Sequence, residues 1–379
     1  HEGVSAAAGR SNYSGNPNLS VEVECSIMKS MRTIIEKIDK NKINTDIIRE
    51  AGRILREGGL VAFPTETVYG LGADALNEHA AQKIYAAKGR PSDNPLIIHI
   101  TSMDDLAKIT SSIPESAKII ADKYWPGPLT MIFDKSGIVP YGTTGGLDTV
   151  AVRMPSHEIA REVIDAGGGY IAAPSANTSG RPSPTTALHV EEDMTGKIDM
   201  IIDGGPVDIG VESTILDMTV VPPMILRPGA ITREMLTELI GEVSVDKTLI
   251  TPDSKKAPKA PGMKYRHYAP KAELTIVEGE IKEVIAKINS LAAEKLEEGL
   301  KVGIIGTEET VECYPSGDVK SIGTREDEAT IAGSLYGILR EFDNDGVDYI
   351  YSEAFATGGI GSAIMNRLLK AAGHHVIHI

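Results

Sequence analysis

The part of the chain after Lys271 alternates strand-like and helix-like segments, and this alternation constrains the fold more than any other feature. Short apolar runs alternate with longer stretches whose apolar residues recur at helical spacing. A strand followed by a crossover helix places the next strand parallel to the first. We therefore predict a small, Rossmann-like parallel α/β domain over residues 272–379. Its predicted strands are 274–277, 302–305, 349–352 and 376–379, and its predicted helices are 281–298, 328–342 and 363–372.

Residues 44–243 also mix strands with helices, but without a strict strand–helix–strand rhythm. Helix 78–88 is the clearest element, because Asn77 suits its N-cap and Gly89 its end. The mixture predicts an α/β domain with a mixed, twisted sheet. Further predicted strands are 60–63, 96–100, 129–133, 149–154, 170–173, 200–202, 213–217 and 224–227, and further predicted helices are 46–57, 116–123, 157–166 and 233–240.

Two segments have the composition of connections or extensions. Residues 1–30 are rich in Gly, Ser, Asn and Ala and lack periodicity, so we expect a flexible extension, with Met28 or Met31 as a natural start. Residues 244–271 are rich in proline and lysine, which is typical of a semi-extended linker. The linker also contains the run Tyr265 to Tyr268. It is either a plain spacer or a linker that also lines a site and closes over it.

The formal net charge of −15 and the scarcity of aromatic residues disfavour a general nucleic-acid binder, although a local basic pocket stays possible. The two cysteines, Cys25 and Cys313, cannot build a zinc module or a disulfide framework. We find neither an apolar run of bilayer length nor a signal peptide. These features together predict a cytoplasmic protein without membrane association.

The usual nucleotide-binding and hydrolase motifs are absent from the sequence. It contains no P-loop, no dinucleotide-binding glycine fingerprint, no nucleophile elbow and no kinase signature. Any nucleotide must therefore be recognised in another way.

The segment 88–94 combines positive charge with a stiffened loop. Lys88 and Arg90 follow the end of helix 78–88, with Ser92 and Asn94 close behind and prolines at 91 and 95. Several fixed donors with positive charge suit a polyphosphate. The alternative is that the two cations only complement the helix dipole.

Two predicted strands carry a polar side chain on a face of small or apolar residues. His99 shares a face with Ile97, and Arg153 shares a face with Thr149 and Ala151. Arg153 fits a carboxylate-binding position. The alternatives are a structural histidine and a structural salt bridge.

Small residues and hydroxyl groups cluster after predicted strand 170–173. Ser175, Asn177 and Ser183 lie between prolines and a glycine, where a ligand can approach the backbone closely. Ser213 and Arg227 each place one polar side chain on a later strand. Each of these signals is weak when taken singly.

Taken together, the motifs resemble those of the YrdC-like family of threonylcarbamoyl-AMP synthases, in the long form with an additional C-terminal domain. The resemblance runs from about residue 44 to residue 379, and the family's hallmark K-x-R and S-x-N stands here as Lys88, Arg90, Ser175 and Asn177. The recurring motifs are PTETVYGLG, KGRPSDNPL, WPGPLT, GLDTVAVRMP, APSAN, VEST, LRPG and PGMKYRHYAP.

The resemblance implies a concave nucleotide site in the N-terminal domain, where Lys88 and Arg90 are catalytic and stabilise the phosphates. It implies that Tyr268 closes over the nucleotide. The residues implied for L-threonine are Thr65, His99, Arg153, Ala173 and Ser213. Those implied for ATP are Lys88, Arg90, Ser92, Asn94, Thr149, Ser175, Asn177, Ser183, Arg227 and Tyr268.

The resemblance also implies a reaction: L-threonine, bicarbonate and ATP give threonylcarbamoyl-AMP and pyrophosphate, which makes the chain a nucleotidyltransferase. Mg²⁺ is expected to arrive with ATP rather than to be held by protein side chains, and no organic cofactor is expected. The implied partner is a transferase complex that modifies tRNA. The competing hypotheses are an RNA-binding module, a carbamoyltransferase of the hydrogenase-maturation type and a regulatory protein with a decayed site.

Overall fold

The computed structural model describes residues 31–249, 258–263 and 267–379. Residues 32–379 form one compact unit. The predicted extension 1–30 and linker residues 250–257 and 264–266 lie outside the described residues.

The N-terminal part of this unit is built around a mixed sheet of eleven strands. Their order across the sheet is β1-β8-β2-β3-β7-β4-β6-β5-β9-β10-β11. The strands are β1 Ile34–Lys37, β2 Val61–Pro64, β3 Tyr69–Asp74, β4 Ile97–His99, β5 Leu129–Asp134, β6 Thr149–Arg153, β7 Ile171–Ala172, β8 Met200–Asp203, β9 Thr214–Asp217, β10 Met224–Arg227 and β11 Ser244–Val245.

Eight helices accompany this sheet in the described part of the chain. They are α1 Thr45–Arg56, α2 Glu78–Lys88, α3 Met103–Ile109, α4 Glu115–Tyr124, α5 Tyr141–Thr144, α6 Glu158–Ala166, α7 Ala187–Met194 and α8 Arg233–Ile240. Helix α2 begins where Asn77 accepts hydrogen bonds from the amides of His79 and Ala80. It ends at Gly89, whose φ of 62° lies in the left-handed region that favours glycine. Both bounds agree with the prediction.

The predicted strand faces are confirmed at the centre of this sheet. Ile98 on β4 and Val152 on β6 point into the main hydrophobic core. His99 and Arg153 pair in register on neighbouring parallel strands and line a pocket on the opposite face. One face of the sheet therefore stabilises the domain, while the other presents polar groups.

Several elements were not predicted from the sequence. They are strands β1, β3, β11 and β14, and helices α3, α5 and α7. Strand β1 pairs with β8, so the sheet begins before residue 44. Strand β3 was missed because Gly70 and Gly72 dilute its apolar pattern. A Cβ on Gly72 would lie only 2.7 Å from Cε1 of Phe63 on β2, so close packing requires a glycine here.

The C-terminal part contains a five-stranded sheet in which every pairing is parallel, as predicted. The strand order is β14-β13-β15-β12-β16. Helix α9 packs on one face, while α10 and α11 pack on the other. The elements are β12 Glu273–Glu278, α9 Ile281–Glu297, β13 Val302–Gly306, β14 Asp318–Ser321, α10 Glu328–Asp345, β15 Tyr349–Glu353, α11 Gly361–Ala371 and β16 Val376–His378.

A hydrophobic cluster joins the two domains. Val68 and Val211 from the N-terminal part pack with Tyr268 and with residues of α10 and α11. The C-terminal domain therefore packs against the N-terminal domain through α10 and α11. Within the described ranges, no helix is both long and apolar enough to cross a membrane.

Candidate active site

A pocket on the polar face of the large sheet collects side chains from many of the sequence motifs. Ten of the fifteen predicted site residues line it: Arg90, His99, Arg153, Ala173, Ser175, Asn177, Ser183, Ser213, Arg227 and Tyr268. Nine further residues complete the lining: Thr67, Val68, Ile97, Pro174, Arg181, Glu212, Pro261, Gly262 and His267. Strand pairing brings these distant segments together, and the pocket is therefore a product of the fold.

Positive charge dominates the lining of this pocket. Four arginines line it, namely Arg90, Arg153, Arg181 and Arg227. Glu212 is the one acidic residue among the described lining residues. Burial lowers the pKa of Arg90 to about 10, and it also lowers the pKa of Arg227. Arg90 remains charged at neutral pH with a pKa of this size. A chain whose net charge is −15 thus forms a local cationic pocket suited to anions.

Arg90 and Arg227 are held in place by backbone carbonyl groups. Arg90 donates from Nε to the carbonyl of Asn94 at 3.2 Å and from Nη2 to that of Pro95 at 2.9 Å. Arg227 donates from Nε to the carbonyl of Ser213 at 3.0 Å and from Nη2 to its hydroxyl at 3.2 Å. Neither arginine forms an ion pair within the described part of the chain. Both positive charges therefore remain available to an anionic ligand.

Arg153 lies against Glu66 at the other end of the pocket. Its Nη2 is 2.6 Å from Oε1 of Glu66, and its Nη1 donates to the Thr67 hydroxyl at 2.9 Å. The close pair is not aligned as a hydrogen bond, since Nη2 and both carboxylate oxygens lack hydrogen-bond partners among the described residues. Burial, the largest single influence, would raise the pKa of Glu66, but Arg153 and nearby backbone amides together outweigh it and lower this pKa. The ion pair that we considered as an alternative is therefore present.

His99 is buried beside Arg153 and is uncharged at neutral pH. Burial and the positive charge of Arg153 lower its pKa to about 3. Its Nδ1 lies 3.1 Å from the carbonyl oxygen of Ile97, which can only accept a hydrogen bond. In the tautomer that satisfies this contact, Nδ1 donates and Nε2 carries the lone pair. His99 can therefore accept a proton or a hydrogen bond without adding charge to the pocket.

Lys88 does not line the pocket and lies behind it. Its Nζ donates to the carbonyl groups of Ser175 and Asn177, the latter at 2.6 Å. Burial and the nearby charge of Arg90 lower its pKa well below the usual value for a lysine. Lys88 thus anchors the Ser175–Asn177 loop through two hydrogen bonds and places its amino group immediately behind this loop.

Four other predicted residues also lie away from the pocket lining. The Thr65 hydroxyl donates to the carbonyl of Val68 at 2.6 Å and shapes the turn before β3, whereas Thr67 reaches the pocket. Ser92 is exposed, Asn94 is buried beneath Arg90, and Thr149 begins strand β6. The geometry brings none of these four side chains to the pocket surface.

The linker covers the pocket in its described part. Pro261, Gly262, His267 and Tyr268 all line it. Tyr268 has a φ of 61° and stacks on Tyr336 of α10, with ring centroids 5.3 Å apart. Of the two interpretations of the linker, the one in which it also lines the site agrees with these contacts. Tyr265 and Arg266 lie outside the described residues.

Polar atoms without partners concentrate around this pocket. Among its lining residues, Asn177 Oδ1, Arg181 Nε and His267 Nε2 are buried and have no hydrogen-bond partner in the described structure. Buried polar groups in native proteins are nearly always paired, so such a concentration calls for an explanation. A polar ligand would supply the missing partners.

Sequence reasoning missed several residues of the site. Thr67, Glu212 and His267 stand inside motifs that we singled out, and Arg181 follows the S-x-N motif within the same loop. Arg340 and Arg367 of the C-terminal domain do not line the pocket but contact residues next to it, and they gave no signal because arginines on helices are usually exposed. Both are fully buried here: Arg340 pairs with Asp193 at 3.0 Å and Arg367 pairs with Glu212 at 3.0 Å.

No group of three or more His, Cys, Asp or Glu residues that could hold a metal ion occurs in the described ranges. The nearest carboxylates, Glu66 and Glu212, already face Arg153 and Arg367. Both carboxylates are therefore engaged by arginines within the described residues.

Two family models match the chain in sequence. The Sua5/YciO/YrdC model, described as telomere recombination, matches residues 53–229. The model described as the threonylcarbamoyl-AMP synthase C-terminal domain matches residues 231–373. The two matches follow one another with almost no gap.

Curated relatives match over nearly their entire length. A threonylcarbamoyl-AMP synthase from Pyrococcus abyssi is 51% identical over 92% of this chain and 100% of its own. One from Bacillus subtilis is 49% identical with the same coverage. One from Schizosaccharomyces pombe is 38% identical over 86% of this chain and 88% of its own.

A solved structure has the same fold. Pyrococcus abyssi Sua5 in complex with L-threonine superposes with a TM-score of 0.87 at 50% identity, covering 92% of this chain and all of the other.

Proposed function

The chain belongs to the threonylcarbamoyl-AMP synthase family in its two-domain form, and we propose that it converts L-threonine, bicarbonate and ATP into threonylcarbamoyl-AMP and pyrophosphate. This would make it a nucleotidyltransferase. The observation that carries the proposal is the placement of Arg90, Arg153 and Arg227, from three separate motifs, around one buried pocket. Each guanidinium suits an anionic group of a substrate.

The threonine would lie at the Arg153 end of the pocket. Its carboxylate would pair with the Arg153 guanidinium, which lines this end of the pocket beside its ion-pair partner Glu66. The uncharged ring of His99 would accept a hydrogen bond from the amine or the hydroxyl. Ser213, whose hydroxyl is 2.8 Å from that of Thr130, would contact the substrate hydroxyl. A site that pairs with this hydroxyl should discriminate against analogues that lack it.

The nucleotide would lie at the Arg90 and Arg227 end. The two guanidiniums would neutralise phosphate oxygens, and Ser175, Asn177 and Ser183 would supply hydrogen bonds. Lys88 would act on the phosphates in two ways: through its charge, and through its hydrogen bonds to the carbonyls of Ser175 and Asn177, which position that loop. Tyr268 would cover the nucleotide from the linker side. Contacts from Thr65, Ser92, Asn94 and Thr149 stay predictions, since these side chains lie off the pocket.

The reaction needs positioning and charge neutralisation rather than a nucleophilic side chain. The threonine amine attacks bicarbonate and yields a carbamate with loss of water. A carbamate oxygen then attacks the α-phosphorus of ATP, and the bond from that phosphorus to the bridging oxygen breaks to release pyrophosphate. In-line attack on phosphorus is accelerated mainly by orientation and by fixed positive charges. The cationic pocket would provide both.

Magnesium would enter as the MgATP substrate. This proposal is supported by the arginine partners of Glu66 and Glu212, the two carboxylates nearest to the pocket. We expect no calorimetric binding of Mg²⁺ alone and a strict requirement for Mg²⁺ during turnover. Tight binding of Mg²⁺ to the protein without ATP would contradict this proposal.

The product would be handed to a transferase complex that acts on tRNA. The net charge of −15 supports a small-molecule enzyme over a stand-alone RNA-binding module. We therefore expect weak or no binding of tRNA by the isolated chain at physiological salt.

The test is pyrophosphate release measured with all three substrates and with each one omitted in turn. Release that requires threonine, bicarbonate and ATP together supports the proposal. Pyrophosphate release from ATP without threonine would assign the pocket to a different reaction.

A further inference from the structure

The loop of residues 175–183 forms the proposed nucleotide side of the active-site pocket. Three of its predicted site residues line the pocket and would bind the nucleotide. From the N-terminal domain, Lys88 holds the beginning of this loop through the carbonyl groups of Ser175 and Asn177. Near the end of the loop, the carbonyl of Pro182 accepts a hydrogen bond from a residue of the other domain. Both domains therefore hold the loop.

The residue that reaches across from the C-terminal domain is Arg340 of α10. Its side chain is only 1% exposed. Its Nη2 donates to the carbonyl of Pro182 at 2.7 Å and to Oδ2 of Asp193 at 3.0 Å, and its Nη1 donates to Oδ1 of Asp193 at 3.2 Å. All of its side-chain hydrogen-bond partners in the described part of the chain belong to the N-terminal domain. The planar guanidinium suits such a two-point contact with a carboxylate.

Asp193 connects Arg340 to the same loop at a second point. The Asp193 side chain is fully buried, and its Oδ2 accepts from the amide of Thr178 at 2.9 Å. Arg181 of the loop also pairs with this carboxylate. Burial, the largest single influence, would raise the pKa of Asp193, but Arg340, the Thr178 amide and Arg181 together lower it. Asp193 is therefore charged at neutral pH, and Arg340 is its fully buried counter-charge.

The proposed threonine side of the pocket does not depend on the C-terminal domain in this way. All side-chain hydrogen-bond and ion-pair partners of His99 and Arg153 in the described structure belong to the N-terminal domain, and they are Ile97, Gly127, Thr67 and Glu66. The two sides of the pocket thus differ in what holds them.

We propose that Arg340 is a positioning residue for the nucleotide: it holds the 175–183 loop in its binding conformation through Pro182 and Asp193. ATP binding, but not threonine binding, then depends on the docked C-terminal domain. The inference rests on the proposed function, because it takes this loop as a nucleotide contact. Arg340 does not line the pocket, so it acts only through the loop. Donors that are fixed before the ligand arrives reduce the ordering cost of binding, and small displacements of such groups weaken catalysis strongly.

The test compares Arg340→Met with the parent protein in calorimetric titrations with ATP and with threonine, and in steady-state pyrophosphate release. The dissociation constant and the KM for ATP should each rise at least about ten-fold, because the loop loses two of its attachments. The dissociation constant and the KM for threonine should be unchanged. A residue that only stabilised the fold would not separate the two substrates in this way.

Arg340→Lys is the second variant, and it also serves if the methionine variant fails to fold. Lysine keeps a positive charge beside Asp193 but lacks the planar fork that contacts Asp193 and Pro182 together. Its affinity for ATP should therefore lie between those of the parent protein and Arg340→Met.

Arg325→Met is the matched control. Arg325 also pairs with a fully buried carboxylate, with its Nη2 2.7 Å from Oε2 of Glu353. Its side-chain contacts in the described residues lie within the C-terminal domain, and it does not line the pocket. This variant should keep the parent affinity for ATP. Unchanged ATP affinity in folded Arg340→Met, an equal loss in Arg325→Met, or an equal loss of threonine affinity would overturn the proposal.

The binding measurements separate this inference from the proposed function, because they need no turnover. If the parent protein binds ATP but releases no pyrophosphate, the proposed function fails, while a selective loss of ATP affinity in Arg340→Met still supports the positioning role. A parent protein that binds no ATP would overturn both.

Discussion

Arg367 of the C-terminal domain and Glu212 of the N-terminal domain form a buried ion pair, with Nε 3.0 Å from Oε2. The same carboxylate accepts from the Ser183 hydroxyl at 2.5 Å and from the Tyr336 hydroxyl at 2.9 Å. Burial, the largest single influence, would raise the pKa of Glu212, but the charges of Arg367 and Arg227 and the hydrogen bond from Ser183 together lower it to about 2. Glu212 thus joins the pocket wall to the C-terminal domain.

The Glu212–Arg367 pair should show strong coupling in a double-mutant cycle. Glu212→Gln and Arg367→Met should each lower the free energy of unfolding by roughly 3–5 kcal/mol, because each leaves a buried charge unpaired. The double variant should lose less than the sum of the two. Urea unfolding of all four proteins measures the coupling, and strictly additive losses would show that the pair is not a unit.

Arg153→Lys should weaken threonine binding while leaving ATP binding unchanged. Lysine keeps the charge but cannot present two parallel donors to a carboxylate, so we expect the dissociation constant for threonine to rise about ten-fold or more. Calorimetric titration with each substrate measures both constants, and Arg49→Lys on the surface of α1 serves as the control. An equal loss of ATP affinity would indicate that Arg153 supports the whole pocket.

Lys88→Met should lower kcat/KM by roughly 100-fold, because it removes a positive charge behind the phosphates and frees the Ser175–Asn177 loop. The matched control is Lys83→Met on the same helix. Lys83 also donates to a backbone carbonyl, that of Gly58 at 2.7 Å, but lies outside the pocket. Steady-state pyrophosphate release compares the two variants. A similar decrease of kcat/KM in both variants would show that Lys88 only stabilises the position of its helix.

Tyr268→Ala should raise the KM for ATP about ten-fold, because it removes the ring that would cover the nucleotide and its stacking on Tyr336. Tyr268→Phe keeps the ring and should stay close to the parent protein. The threonine dissociation constant should be unchanged in both variants. If Tyr268→Ala leaves the KM for ATP unaltered, the idea of a lid is wrong.

The free energy of unfolding should decrease as the pH falls from about 6.5 towards 3, with His99 among the causes. Its folded-state pKa of about 3 lies below the unfolded value of about 6.5, so the unfolded chain binds a proton in this range and the folded chain does not. Denaturant unfolding across this range should therefore show a shallower slope for His99→Gln than for the parent protein. His79→Gln, at an exposed position of α2, should retain the parent slope.

Local patterns in the sequence were sufficient for much of the fold. Asn77 and Gly89 marked both ends of α2, and the alternation after Lys271 predicted the parallel C-terminal sheet. Strand β3 was not predicted, because its two glycines are required for close packing against neighbouring segments. A local sequence pattern contains no information about such long-range contacts. The same limitation applied to the site, where Thr67 rather than Thr65 reaches the pocket.

The sequence by itself determined most of the strands and helices and the motifs that carry the polar side chains, because capping, periodicity and turn chemistry act over a few residues. Only the tertiary structure decided which of these side chains meet. Lys88 lies behind the Ser175–Asn177 loop instead of lining the pocket, and Glu212 finds Arg367 at a separation of 155 residues. Such pairings depend on how the sheets and helices pack, since a buried charge takes whichever partner the packing brings within reach.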